Sequence, residues 1–184
     1  MARLAFMTIG VLHAVEEHPA VQEYVELGGL NFSRAEASYG FIDRSRYDVE
    51  AEATTWGAIA APDYFVERGL ADRLAQSLSL WQTLEAVYAF SYSGVHAESL
   101  SRRKEWFVHP EWPNYVVWWV DDDHIPSWHE AYAHYEQLRR VGPSPEAFDF
   151  KYPYLADGRS TTIDRSSVRQ IMQGTTGKQG RIIG

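Results

Sequence analysis

No cysteine occurs anywhere in the 184-residue chain. That single absence removes disulfide frameworks, thiolate metal sites and cysteine nucleophiles together, and it fits a cytoplasmic protein. Positive charge is also in short supply: 17 Lys and Arg stand against 25 Asp and Glu, a formal net charge of −8. Nucleic-acid affinity comes largely from clustered Lys and Arg that release counterions from the phosphate backbone, so no nucleic-acid partner is expected. The apolar run near the amino terminus, RLAFMTIGVL, is too short to cross a bilayer and is broken by Thr8 and Gly10. It reads as a buried strand, not as a membrane span or a signal peptide, and no membrane partner is expected. Internal repeats, low-complexity tracts and serine nucleophile elbows are missing too. The stretch Gly174-Thr175-Thr176-Gly177-Lys178 has the residue types of a phosphate loop but neither its spacing nor a preceding strand.

What is present is a large apolar reserve, 45% of residues with seven tryptophans, enough for the core of one domain. Arg3 to Leu12 is a run of large and β-branched residues that predicts a central strand. Apolar residues then recur at helical spacing from Pro19 to about Ala37, and Tyr39 to Ser45 reads as a short strand. Ala75 to Gln82 alternates, placing Trp81 on one face and Leu78 and Leu80 on the other. Thr83 is a candidate N-cap for a long helix reaching about Phe107, where His109-Pro110 and Trp112-Pro113 stop it. Asn114 to Val120 is a strong β signal. Pro126 to Arg140 predicts an extra C-terminal helix, with Ser127 and Glu130 as a capping box and Gly142-Pro143 as its stop.

The resulting order is βαββαβ, an α+β fold of ferredoxin-like type with a four-stranded antiparallel sheet and both helices of the unit on one face. Residues 1–156 form the single domain. Within it, residues 46–76 make a long connection expected to act as a lid. Residues 157–184, with five basic side chains against two acidic ones, are expected to be a mobile basic tail. A sheet covered on one face leaves the other bare, and pairing with a second copy would bury it, so a homodimer is expected.

The most closely grouped chemistry lies between Ser77 and Val120. On the predicted long helix, Tyr88, Tyr92 and His96 recur every four residues and share a face. His96 would serve as acid/base, and Tyr92 or Arg102 would stabilise developing negative charge. Arg102 has a competing reading as a structural partner of Glu105. Trp81, Tyr88, Phe90, Trp106, Trp118 and Trp119 would shape an apolar substrate site, with Trp118 and Trp119 on opposite faces of their strand. Asp121-Asp122-Asp123-His124 reads as a solvated turn, and no metal site is expected.

The sequence LSLWQTLEAVYAFSYSGVHAESLSRRKEWF, followed by the Trp118-Trp119 strand and GPSPEAFDFKYPY, resembles the DUF3291 family across most of residues 3–155. The resemblance implies a dimeric α+β barrel of the antibiotic-biosynthesis-monooxygenase-like superfamily, whose members include cofactor-independent oxygenases, haem-dependent enzymes and polyketide cyclases. Two segments depart from the family pattern, the elaborate region around Ala51 to Leu74 and the tail after Tyr154. The expected function is an enzyme acting on a bulky, apolar or aromatic natural-product intermediate. It would work by acid/base-assisted cyclisation or cofactor-independent oxygenation, with no cofactor. The alternatives are a non-catalytic small-molecule-binding or stress-related dimer, and a haem-binding protein using His96.

Overall fold

A computed structural model of the chain describes residues 2–51, 53–92 and 102–179, with side chains described through residue 174. Strand β1 (Arg3–Val11) is the centre of a four-stranded sheet. It is flanked by β5 (Leu74–Trp81) and β6 (Tyr115–Val120), with β2 (Phe41–Arg44) on the outer side of β5, and every neighbouring pair is antiparallel. The unbroken apolar run Leu4 to Met7 in β1 makes sense because both faces of the sheet are covered there. A small hairpin, β3 (Tyr47–Asp48) and β4 (Ala53–Thr54), stands apart from the sheet.

One face carries Ala5, Met7 and Ile9 of β1, Leu78 and Leu80 of β5, and Val116 and Trp118 of β6. Helix α4 (Trp128–Val141) covers it, burying Trp128, Ala131, Tyr135 and Leu138. The Ser127 hydroxyl caps this helix by accepting the Glu130 N–H at 3.1 Å, and Gly142 ends it at φ +91°. This is the face from which a two-fold partner was expected. Because α4 and the connection before β5 already cover it, burial of a bare sheet face supplies no reason to dimerise there.

The connection between β2 and β5, expected to act as a lid, packs through Trp56 and Phe65 on the α4 face of the sheet. Its apolar residues anchor it to the α4 side: Trp56 is buried and its carbonyl accepts the Trp128 N–H at 3.2 Å. Phe65, on helix α2 (Asp63–Val66), is fully buried with its ring 5.9 Å from Tyr135 and 5.3 Å from Trp112.

On the opposite face lie Leu4, Phe6, Trp81 and Val117, under α1 (Gln22–Glu36) and α3 (Leu84–Ser91). Thr83 caps α3 as expected, accepting the Ala86 N–H at 3.1 Å. The helix expected to reach Phe107 is interrupted: α3 stops at Ser91, Tyr92 leaves helical geometry at φ −117°, residues 102–106 are helical, and the stretch between them lies outside the described residues.

The tail differs from expectation as well. Helix α5 (Arg165–Gln179) follows Ile163, and Ile163 and Val168 are buried against the α3 side of the core. Asp164 accepts the Ser166 N–H at 2.8 Å at the start of this helix. Its own N–H donates to Glu85 of α3 at 3.2 Å.

Candidate functional site

The site follows from how side-chain size runs along two neighbouring strands. On the α1 face, β1 presents Leu4, Phe6, Thr8 and Gly10, opposite Trp81, Ser79, Ser77 and Ala75 of β5. Large residues therefore fill one end of the face, and only small ones pave the other. Above the small end, α1 buries just one of its residues, Ala35. Its inner side chains Tyr24, Asn31 and Phe32 line the gap below the helix, a cavity of about 850 Å³. That volume lies within the roughly 300–1,000 Å³ of small-molecule sites.

The floor is a line of hydroxyls already engaged with neighbouring protein groups. Thr8 and Ser77 share a hydrogen bond of 2.7 Å, and the Ser79 hydroxyl accepts from Trp81 Nε1 at 2.9 Å. Twelve of the lining residues are aromatic. Trp81 meets Phe41 edge-on at 5.3 Å and stacks on Phe90 at 5.1 Å. At the far end Phe107 closes directly over Gly10, where a Cβ would stand 2.6 Å from the ring. Segment 106–108 is pinned there by backbone bonds of 2.8 Å, His13 N–H to the Trp106 carbonyl and Val108 N–H to the Val11 carbonyl.

A phenol pair marks the α3 end. Tyr115 projects from β6 beside Tyr92, and its hydroxyl accepts the Phe150 N–H at 3.2 Å. Burial pushes the Tyr115 phenol above its ordinary pKa, and the Phe150 N–H opposes this while the Tyr92 hydroxyl and Asp149 add to it. Tyr24 in α1 is likewise raised by burial, and next by Glu16, to about 12. Both phenols remain protonated at neutral pH and able to donate hydrogen bonds.

The structure divides the expected site residues. Tyr92, Trp81, Phe90 and Trp106 line the cavity together. His96 lies outside the described residues. Arg102 is not at the cavity: its guanidinium grips Glu23 of α1 at 2.6 and 2.7 Å and Glu105 at 2.7 Å, and it sits 4.6 Å above the Trp106 ring. The two carboxylates are accordingly held below, and Arg102 above, their ordinary pKa values by these hydrogen bonds. Its place is that of a structural clamp between turn 102–106 and α1.

Tyr88 turns toward α5, where its hydroxyl bonds Arg165 and its ring lies 4.6 Å from that guanidinium. Trp118 and Trp119 do lie on opposite faces of β6, but neither reaches the cavity. Trp118 is packed beneath α4, stacked on His134 at 4.7 Å, with Nε1 donating to Glu130 at 2.9 Å. Trp119 donates to the Tyr154 carbonyl at 2.8 Å. Both border a separate depression of about 350 Å³.

Sequence reasoning missed Thr8, Gly10, Ser77, Ser79 and Tyr115. The available signal was small side chains at alternate positions of two strands that the fold makes neighbours.

The match of a family model covers residues 3–165 and carries the description "Domain of unknown function (DUF3291)". The chain belongs to the DUF3291 family. No curated protein and no solved structure shows a significant match to it. Among the described residues of this DUF3291 protein no cluster of three or more His, Asp or Glu is arranged to hold a metal ion. No helix among them is long and apolar enough to cross a membrane.

Proposed function

We propose that this DUF3291 protein binds a bulky, largely apolar, ring-containing small molecule in the cavity between α1 and the sheet. The observation that carries the reading is α1 itself. A helix held over a sheet would ordinarily bury its apolar stripe, yet α1 buries only Ala35 and leaves Tyr24 and Phe32 lining about 850 Å³ of space. A flat aromatic ligand between the hydroxyl floor and these rings would recover that missing packing.

A second reading, an enzyme that promotes cyclisation or cofactor-independent oxygenation of such a molecule, draws support from Tyr92 and Tyr115. Two adjacent phenols can donate to an oxyanion as it develops. Acid/base work by His96, and haem binding there, stand as proposals on a residue outside the described ones. The strand order β2-β5-β1-β6 supports a ferredoxin-like reading of the sheet. Placement in the antibiotic-biosynthesis-monooxygenase-like superfamily is proposed on the resemblance of the sequence. A homodimer of that class would need a surface other than the one under α4.

The binding reading is tested by titrating N-phenyl-1-naphthylamine, a neutral aromatic probe, into the wild type and into Ser77→Phe, whose new ring occupies the floor. Saturable binding to the wild type and its loss in the folded variant are expected. Equal binding to both would place the probe elsewhere and sink the proposal.

A further inference from the structure

We infer that the ligand of this cavity carries an anionic group, such as a carboxylate, sulfate or phosphate, seated at the end formed by residues 103–109. The inference rests on the binding reading above. In a chain where Asp and Glu outnumber Lys and Arg by 25 to 17, no described residue lining the cavity is acidic. Three lining residues are cations, Arg44, Arg103 and Lys104. Arg44 is neutralised, its Nε donating to Glu36 at 2.9 Å. Neighbouring Arg102, which points away, is consumed by Glu23 and Glu105. Arg103 and Lys104 are different: both are exposed, and among the described residues no carboxylate holds either one.

The backbone that carries them is held in place. The His13 ring lies 3.3 Å from the Lys104 carbonyl, and Trp106 and Phe107 anchor the same segment over the end of β1. His13 and His109 line the same end. Cations that no described carboxylate holds, at the edge of an aromatic cavity, focus positive potential where an anionic group could stay partly hydrated while its apolar body is buried. The planar fork of arginine suits two oxygens of such a group. A wholly neutral ligand would make no use of this arrangement.

Two probes share one ring system and differ by a sulfonate: 8-anilinonaphthalene-1-sulfonate and N-phenyl-1-naphthylamine. At low ionic strength the wild type is expected to bind the sulfonate roughly fivefold tighter, the size two partly exposed charge contacts supply. The preference, read as the ratio of the two affinities, should vanish in the double variant Arg103→Gln/Lys104→Gln. It should persist in Arg140→Gln, an exposed cation on α4 at the other face. Equal affinity of the wild type for both probes, or a preference that survives the double variant, overturns the anionic assignment and leaves the cavity reading standing. Failure of both probes to saturate the wild type overturns the two together.

Discussion

At position 77 a serine faces Thr8 across the sheet, and their hydroxyl oxygens satisfy each other at 2.7 Å without reaching α1. A leucine and a phenylalanine there would have filled the space and brought the helix down onto the strands, so two small side chains decide that a cavity exists. On the other face, one residue ties stability to pH. Burial holds the His134 imidazole below its ordinary value of 6.5, against the opposing pull of Glu130 and Glu146. A folded-state pKa below the unfolded one means that the unfolded chain binds the proton more readily. The contribution is therefore present above about pH 6.5 and is lost as the pH falls from there through the folded value. Urea denaturation is expected to show lower stability at pH 5 than at pH 7, with a smaller difference in His134→Gln. An unchanged difference would show that His134 does not report the transition.

Among the elements, β1, β5, β6 and α4 were legible because their signals are local. Strand patterns identify the first three, and the Ser127–Glu130 cap with Gly142 bounds the fourth. What escaped was tertiary. Helix α5 has a Gly-, Ser- and Thr-rich sequence with little intrinsic preference for helix, and it is held through Ile163 and Val168 at its docking face. The segment between β2 and β5 read as a lid because of its length, yet Trp56 and Phe65 turn it toward α4. No described residue from 46 to 74 lines the cavity. Removal of the fully buried Phe65 ring should cost about 3–5 kcal/mol. Chemical denaturation of Phe65→Ala would measure that loss. Binding of N-phenyl-1-naphthylamine should persist well below the melting transition, weakened only through Trp112, the one cavity-lining ring that Phe65 is shown to meet, at 5.3 Å. Abolished binding by a folded Phe65→Ala would restore the lid.

Across the whole molecule, the sheet is a partition with different work on its two sides. The α4 side is packed with apolar side chains and closed by the 46–74 connection. The α1 side is packed only at its Leu4–Trp81 end and is hollow toward Gly10 and Ala75. The candidate site was half legible for the same reason. Trp81, Phe90, Tyr92 and Trp106 stood out as large or chemically able residues and do line the cavity, whereas Trp118 and Trp119 stood out equally and serve the cores. Residue type shows what could bind; only the register Thr8↔Ser77 and Gly10↔Ala75 shows where room is left. The most direct measurement is a crystal soaked with 6-bromo-2-naphthol, a compact aromatic whose bromine is located by anomalous scattering. The predicted result is a bromine peak between Phe32 of α1 and Ser77 of β5. Ordered crystals with no peak there, at a concentration that saturates the protein in solution, would contradict the account.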